Sequence, residues 1–486
     1  MTVCQVPAED FEIAAFDRLK PQLEQLWDVV FPGDDQAYTS VIVPSLTLDA
    51  DQMSKITGIS FYEERLLFLL MRLRNPRARI VYVTSQPVHP MVLDYYLQLL
   101  AGIPASHARS RLTLLCAYDR SPEPLTQKIL DRPRLVQKIR DSIGDPGLAY
   151  LTVFNATPLE RTLAVRLGIP MNAPDPRFKS WGSKSGSRRL FKEAGIPLPY
   201  GHEDLRSSGD VESALLDIYE RRPNTRRAVL KLNEGFSGEG NAIFTFRAQR
   251  SRAMIRGALR RLEFSIKGQT SEGFLEKFEQ GGGIAEELIE AAEVRSPSVQ
   301  LRINPRHEVI LASTHEQILG GPTNQIYLGC LFPADDDYRL TIQDLGRRVG
   351  EALAAKGIIG RLSVDFLATR NGRSDPWDVR AVEINLRMGG TTHPMLALRF
   401  LTGGTLDPSG LFQGVDGRTK FYRASDNVQS PAYRGLLPED LIEILTLHRL
   451  DFNHRTSTGV LFHMFGAVSE FGKFGIVAIG NSRDEA

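Results

Sequence analysis

The sequence predicts an α/β protein built from three consecutive domains. At 486 residues the chain is long enough for about three domains of ~150 residues each, and each can have a core that folds unaided. The first third alternates strand-like and helix-like segments, as in a parallel sheet with crossover helices. Further on, VDF at 364–366 and EINLRMGG at 383–390 place acidic and amide side chains on two neighbouring strand-like segments.

The composition is that of an ordinary soluble protein, with 42% hydrophobic and 24% charged residues. A net charge of +1 gives no electrostatic reason to expect nucleic acid or an anionic membrane as a partner. Cys4, Cys116 and Cys330 are too few and too scattered for a disulfide framework or a zinc site. No signal peptide is visible, and no segment approaches the ~20 apolar residues of a membrane span. We therefore expect a reduced, cytoplasmic enzyme.

The first domain, residues 1–172, is predicted to be Rossmann-like. Helical patterns occupy 60–75 and 90–102, between strand-like segments at 39–49, 78–86, 111–119 and 148–157. No glycine-rich phosphate-binding motif follows any of these strands. This domain is therefore not expected to bind nucleotide phosphates by itself.

The second predicted domain spans residues 173–409 and follows a Pro- and Gly-rich segment at 169–186. It starts with a helix at 187–194 that stops at Gly195, and a further helical stretch is predicted at 251–265.

The remaining residues, 410–486, are predicted to form a small α+β domain. It contains a helix at 438–452 and a hairpin that turns around Gly472.

Asp365, Glu383 and Asn385 supply the oxygen ligands that magnesium prefers in nucleotide enzymes. Arg387 follows Asn385 by two residues, so strand alternation places it on the same face. A fixed cation beside such a metal suits phosphoryl transfer. One segment alone would favour an ordinary core strand with a polar end, whereas two segments followed by Gly-Gly favour a magnesium nucleotide enzyme.

The segment KLNEGFSGEGN contains Gly235, Gly238 and Gly240 between two strand-like segments. Glycines let backbone N–H groups approach a phosphate, and Lys231 at the strand end can reach phosphate oxygens. A flexible hairpin loop with a solvated lysine explains the same residues. A surface position in a linker likewise explains Lys184 taken singly.

Glu286 and Glu287 end an apolar strand, where backbone groups and one acidic side chain can recognise an adenine edge. An edge strand that ends in exposed acids explains the segment equally well. His315 and His393 are the histidines nearest the predicted site, although a lone histidine is more often structural or exposed than catalytic.

Taken in order, these segments resemble the ATP-grasp superfamily. The order is a lysine before a helix that ends in GIP, a lysine before a Gly-rich loop, a strand that ends in an acidic hinge, and then D…E-x-N-x-R, over about 178–400. The first third resembles the pre-ATP-grasp domain. The whole chain, including SEFGKFGIVAIGNS, is most similar to pheganomycin-type peptide ligases and related carboxylate–amine ligases.

The resemblance implies ATP and Mg²⁺ as cofactors and assigns roles to individual residues. It assigns two magnesium ions to Asp365, Glu383 and Asn385, and it makes Arg387 and Lys231 catalytic. The residues that it places on the nucleotide are Lys184, Lys231, Gly235, Gly238, Gly240, Glu286, Glu287, Leu288, Ile289 and Glu293, with Glu293 on the ribose and the Gly-rich loop closing over the phosphates. The hinge is Glu-Glu where many relatives have Glu-Lys, so a cation near the adenine is missing.

The implied reaction joins a carboxylate to an amine through an acyl phosphate. The expected partners are a small-molecule or peptide carboxylate and an amine, without nucleic acid or membrane, and homodimerisation stays open. The predicted substrate residues are His315, Arg361, Gly390, Thr391 and His393. Two alternatives remain: an ATP-grasp enzyme with a non-amine acceptor, and a nucleotide-binding regulatory protein that has lost catalysis.

Overall fold

Three β-sheets organise the protein in its computed structural model. The described residues are 8–30, 35–48, 53, 56–235, 240–247, 251–264, 268–320 and 326–486. Within these ranges, no helix has the length and apolar character that crossing a membrane requires.

The first sheet has four parallel strands in the order β3-β2-β1-β4. The strands are β1 Tyr38–Val43, β2 Ala78–Thr84, β3 Leu112–Cys116 and β4 Ala149–Val153. The helices are α1 Ala8–Val30, a long 3₁₀ helix Ile59–Arg74, α2 Pro90–Gln98, α3 Ala105–Arg109, α4 Leu125–Leu130, α5 Pro133–Ile143 and α6 Pro158–Leu167. All six residues of β1 are buried, as expected for a central parallel strand with both faces covered. The predicted alternation is confirmed, but the strands are shorter than predicted and the helix at 60–75 is a 3₁₀ helix.

The second sheet has five antiparallel strands in the order β5-β9-β6-β7-β8. Its elements are α7 Lys184–Glu193, β5 Gly201–Leu205, α8 Ser208–Arg221, β6 Arg227–Leu232, β7 Asn241–Thr245, α9 Arg252–Ala258, β8 Glu263–Phe264, α10 Ser271–Gly281 and β9 Gly283–Glu287. The predicted helix at 251–265 is therefore limited to α9 and one 3₁₀ turn. Because β9 pairs on both sides, the interpretation of the Glu286 segment as an edge strand is wrong.

The third sheet has eleven strands and carries the site. Its elements are β10 Glu293–Arg295, β11 Pro297–Ile303, β12 Val309–Gly320, β13 Ile326–Phe332, α11 Arg339–Ala354, β14 Gly360–Arg370, β15 Asp378–Asn385, α12 Thr392–Thr402, β16 Thr405–Leu406, β17 Phe412–Gln413, β18 Thr419–Gln429, α13 Pro438–Leu447, β19 Gly459–His463, α14 Val468–Phe471 and β20 Lys473–Gly480. Strand β18 pairs with β13, so the sheet continues across the predicted boundary at residue 410. The predicted hairpin is confirmed by the pairing of β19 with β20, although short helical turns precede Gly472.

The two faces of the third sheet differ because side chains alternate along a strand. Val299, Leu301, Leu362 and Val364 share one hydrophobic core with α11. The intervening residues of β11 and β14 are polar and occupy the opposite face. This polar face positions the candidate site.

Two neighbouring acids of the long 3₁₀ helix, Glu63 and Glu64, are buried. Glu64 Oε2 accepts a hydrogen bond from the backbone N–H of Gly466 at 3.1 Å. Glu63 accepts hydrogen bonds from Ser85. Burial raises the pKa of Glu64 from 4.5 to about 8 and that of Glu63 to about 7.

Replacing Glu64 with glutamine should stabilise the protein at alkaline pH. A carboxyl group whose pKa is higher in the folded than in the unfolded state destabilises the fold once the pH exceeds its unfolded pKa. This destabilisation grows until the pH reaches the folded pKa, here between pH 4.5 and about 8. The melting temperature of Glu64→Gln should therefore exceed that of the wild type near pH ~9 and match it near pH ~4.5. Glu443→Gln, an exposed change on α13, is the control. Parallel pH profiles of wild type and Glu64→Gln would refute the assignment.

Candidate active site

The predicted metal ligands meet on the polar face of the third sheet. Strands β14 and β15 pair antiparallel, with Asp365 opposite Glu383 and Ser363 opposite Asn385. Asn385 Nδ2 donates to Asp365 Oδ2 at 3.1 Å, and Arg387 Nη2 donates to Asn385 Oδ1 at 2.9 Å. The structure therefore brings together all four residues that the two sequence segments indicated.

The charges at this point of the sheet are strongly coupled. Burial and the charge of Glu383 raise the pKa of Asp365 to about 7, although Lys184 and Arg387 oppose the shift. Burial also opposes ionisation of Glu383, but Lys184, Lys231 and Arg387 hold its pKa below the ordinary value. Asp365 and Glu383 therefore face each other, and Asp365 resists ionisation. A divalent cation at this site would stabilise the ionised form of both carboxylates.

Lys184 is the first residue of α7, which begins three residues earlier than the predicted helix at 187–194. Ser183 caps the helix, and the Asn233 side chain accepts from the backbone N–H of Ser185 at 3.0 Å. The Lys184 side chain is buried and its Nζ contacts a Glu383 carboxylate oxygen. The interpretation of Lys184 as a surface lysine in a linker is therefore wrong.

Glu286 lies between two cations and is only 2% exposed. Its Oε1 is 2.6 Å from Lys231 Nζ, and its Oε2 is 2.7 Å from Arg188 Nη1. Lys231 is half-buried and paired with Glu286, so it is not a solvated loop lysine. Arg188 was missed at the sequence level, although it follows Lys184 by one helical turn and so shares its side of α7.

Glu287 receives cations from other parts of the chain. Its Oε1 accepts from Arg380 Nη1 at 3.0 Å and from the backbone N–H of Tyr200 at 2.8 Å, and Arg222 Nε lies 3.5 Å from Oε2. The predicted adenine hinge has Glu286 and Glu287 and no lysine, so Arg380 and Arg222 supply the positive charge beside it.

The remaining hinge residues lie close by. The backbone N–H of Leu288 donates to Arg227 O at 2.9 Å, and Ile289 follows it, half-buried. Glu293 pairs with Arg370 across β10 and β14 at 2.9 Å. Their contacts with adenine and ribose stay predictions.

The ends of the Gly-rich loop lie close to each other. The backbone N–H of Leu232 donates to Gly240 O at 2.8 Å, and a Cβ on Gly235 would lie 3.2 Å from Gly240 Cα. Gly238 lies outside the described residues, so closure of the loop over phosphates stays a prediction.

The segment after Arg387 lies beside the polar face. Gln300 on β11 donates through Nε2 to the hydroxyl groups of Thr391 and Thr392. A Cβ on Gly390 would lie 2.6 Å from the Tyr327 ring, so a larger residue there would have to displace that ring. The backbone N–H of Met388 donates to Phe154 O at 3.1 Å, so the segment contacts the residue that follows β4 of the first sheet.

His393 belongs to a buried polar cluster that sequence reasoning missed. Asp426 Oδ1 lies 2.9 Å from His463 Nε2 and 3.5 Å from His393 Nε2, and Asp426 Oδ2 lies 3.0 Å from Arg65 Nη2. Ligand-type atoms of His393, Asp426 and His463 all lie within 4.8 Å of one another. Burial and the neighbouring His463 hold the pKa of His393 well below its ordinary value. His393 is therefore neutral at neutral pH, and Arg65 balances the charge of Asp426.

His315 fills an aromatic environment and has no exposed surface. Its ring centroid lies 5.9 Å from that of Phe332 and 5.8 Å from that of Tyr422, and Nε2 contacts the Tyr422 hydroxyl. Burial lowers its pKa to about 3. These surroundings favour a structural role for His315 over substrate binding.

Replacing His393 with alanine tests whether the cluster is structural. Loss of a buried side chain should cost about 2–4 kcal/mol of stability, while ATP binding, kcat and KM stay within about threefold of the wild type. Melting temperature and steady-state kinetics measure the two effects, with the exposed His448→Ala as control. A raised KM for the carboxylate, or a reduced kcat, with ATP binding unchanged would instead support the predicted substrate role.

Comparison with known proteins decides the family. Residues 178–265 and 267–409 match the family model described as IQCH-like, ATP-grasp, and residues 440–486 match the PGM1 C-terminal domain. The L-propargylglycine–L-glutamate ligase of Streptantibioticus cattleyicolor is 30% identical over 464 residues, which cover 94% of this chain and 93% of the relative. The chain belongs to the ATP-grasp family.

Solved structures of other proteins share the fold of this ATP-grasp chain. The biotin carboxylase–β,γ-ATP complex from Campylobacter jejuni aligns with a TM-score of 0.55 and 12% identity, over 93% of this chain and 89% of that one. The ADP complex of the N5-carboxyaminoimidazole ribonucleotide synthetase purK aligns with a TM-score of 0.52 and 11% identity, over 92% and 93% of the two chains. The predicted fold class and family are confirmed.

Proposed function

We propose that this ATP-grasp protein is an ATP- and magnesium-dependent ligase that joins the carboxylate of one amino acid or short peptide to the amine of another. The convergence of Asp365, Glu383, Asn385 and Arg387 on one face of two paired strands carries the proposal. The name of the 30% identical relative, a ligase of L-propargylglycine and L-glutamate, supports amino acids as the substrate class.

The donor set of this site fits magnesium. Asp365, Glu383 and Asn385 offer two carboxylates and an amide oxygen, and the raised pKa of Asp365 reflects a site that gains from a further positive charge. Magnesium, when bound there, neutralises phosphate charge and orients the phosphates.

The side chains around the site suit the transfer of a phosphoryl group. Lys184 contacts Glu383, and Lys231, which contacts Glu286, also helps to lower the pKa of Glu383. Both lysines therefore supply positive charge near the carboxylate cluster, where the ATP phosphates would lie. Arg387 is fixed against Asn385 and stabilises the charge that develops on the transferred group.

The reaction proceeds in two steps. A substrate carboxylate oxygen bonds to the γ-phosphorus of ATP as the bond to the bridging oxygen breaks, which gives an acyl phosphate and ADP. The amine then attacks the acyl carbon, loses a proton and displaces inorganic phosphate, which gives the amide. Neither step needs a nucleophilic side chain of the protein.

A phosphate-release screen of amino acids and short peptides, offered in pairs with ATP and magnesium, tests the proposal. We expect phosphate, ADP and an amide of the summed mass less one water, identified by mass spectrometry, with at least one pair. Withholding the amine should remove the amide, and thiols offered as acceptors test the non-amine alternative. Phosphate release without any amide product, or no ADP with any carboxylate, would contradict the proposal.

A further inference from the structure

A buried cluster of two imidazoles and one carboxylate shares no residue with the predicted magnesium site. Of the predicted substrate residues, Arg361 lies on β14 opposite Arg302, whereas His393 belongs to this cluster with Asp426 and His463. His393 comes from α12, Asp426 from β18 and His463 from the end of β19. Each of the three side chains is at most 8% exposed. The cluster therefore connects three elements that are distant in sequence.

The spacing of the three side chains suits a small metal ion. Asp426 Oδ1 lies 2.9 Å from His463 Nε2 and 3.5 Å from His393 Nε2. Nitrogen and oxygen ligands of tetrahedral zinc, at about 2.0–2.2 Å from the ion, are about 3.3 Å apart, which falls between these two distances. The centroids of the two imidazole rings are 4.0 Å apart, so a bound ion would part the rings by ~1 Å.

Hydrogen bonds within the described chain leave part of this cluster without partners. His463 Nε2 and Asp426 Oδ1 share one hydrogen bond. Neither ring nitrogen of His393 has a hydrogen-bond partner among the described residues, and neither has Nδ1 of His463. A buried polar group without a partner costs free energy. A metal ion bound by both Nε2 atoms would give His393 the partner that the described chain does not provide.

The strands around the cluster leave space for the rings. A Cβ on Gly475 of β20 would overlap the His463 ring, so a larger residue there would have to displace that ring. Asp426 lies where the register between β18 and β20 shifts, and such irregularities re-aim side chains. A cavity of about 20 Å³ is lined by Arg65, His393 and His463 together with apolar side chains, which is room for about one water-sized group.

Arg65 influences which metal would suit the cluster. Its Nη2 donates to Asp426 Oδ2 at 3.0 Å, which orients the carboxylate and leaves Oδ1 to the two imidazoles. The guanidinium charge opposes a cation that is held mainly by charge, such as magnesium. Imidazole nitrogen favours zinc, and two histidines with one carboxylate are a known zinc ligand set with a fourth position open.

We propose that His393, Asp426 and His463 bind a zinc ion, which joins α12 to β18 and β19 and leaves its fourth position to a water molecule. The ion fixes the start of α12, and the segment at 387–391, which follows the predicted magnesium ligands, leads directly into that helix. The site shares no ligand with the predicted magnesium site, so the proposal does not depend on the ligase function.

Zinc titration of the untagged, chelator-treated protein tests the proposal, with magnesium present in excess. We expect calorimetry to show about one bound zinc ion per chain, and zinc to raise the melting temperature beyond its value in magnesium alone. His463→Gln should weaken zinc binding about 100-fold or more, because changing a group that only supports a ligand already costs about 10–100-fold. His448→Ala removes an exposed histidine and should bind zinc as the wild type does.

Glu383→Gln separates this zinc site from the predicted magnesium site, since it changes a carboxylate outside the cluster. The variant should keep its zinc, and X-ray absorption at the zinc edge should show two imidazole ligands in both the wild type and Glu383→Gln. These two proteins leave the cluster unchanged, so they decide the proposal even if His463→Gln does not fold. A wild type that binds no zinc, zinc without imidazole ligands, or zinc that is lost in Glu383→Gln but kept in His463→Gln would overturn it.

Discussion

Replacing Glu383 with glutamine is expected to abolish turnover while the fold stays intact. Glu383 faces Asp365 across paired strands and contacts Lys184. In the proposed function its charge would serve both magnesium and the lysine that is proposed to bind phosphate. Loss of metal-based charge stabilisation is worth several kcal/mol, which corresponds to a fall in kcat of about 10³-fold or more. ADP formation measures the effect, and circular dichroism checks the fold.

Asp378→Asn is the matched control for this change. Asp378 starts the same strand, is exposed and lies at the end remote from Asp365. It should leave ADP formation within about twofold of the wild type, as surface substitutions usually do. Near wild-type ADP formation by Glu383→Gln would rule out the metal assignment.

Replacing Arg387 with alanine should lower kcat by about 10²–10³ and change ATP affinity far less. Arg387 donates a hydrogen bond to Asn385 on the face of the sheet where phosphoryl transfer is proposed. In that proposal, the charge that Arg387 would stabilise develops only during the reaction. Single-turnover kinetics with wild type and variant, beside ATP binding by calorimetry, separate the two effects.

Arg387→Lys refines this test because lysine keeps the charge but lacks the planar fork. Its kcat should lie between those of wild type and Arg387→Ala. Arg347→Ala, on the exposed side of α11, controls for loss of a positive charge elsewhere. Strongly weakened ATP binding with unchanged kcat in Arg387→Ala would show that the residue serves binding and not transfer.

The residues that were predictable from sequence are those fixed by local periodicity. Asp365, Glu383 and Asn385 lie on strands, so alternation alone assigns them to a face, and antiparallel pairing then sets Asp365 against Glu383. Lys184 and Lys231 were singled out by their positions before a helix and a Gly-rich loop. Their burial and their pairing with Glu383 and Glu286 appear only in the structure.

What sequence reasoning missed depends on contacts between distant segments. Arg65, Asp426 and His463 come from the first sheet's region and from the C-terminal strands, and no local pattern links them to His393. Arg380 reaches Glu287 from another sheet. Such pairings follow from how the sheets pack, which periodicity does not encode.

In the proposed reaction a carboxylate is activated as an acyl phosphate before the amine attacks. Transfer of ¹⁸O from a labelled substrate carboxylate into inorganic phosphate tests this order of steps. With the substrate pair found by the screen, mass spectrometry of the phosphate should show one labelled oxygen for each amide formed, because the attacking oxygen leaves with the phosphorus. Amide formation with unlabelled phosphate would contradict activation of the carboxylate as an acyl phosphate.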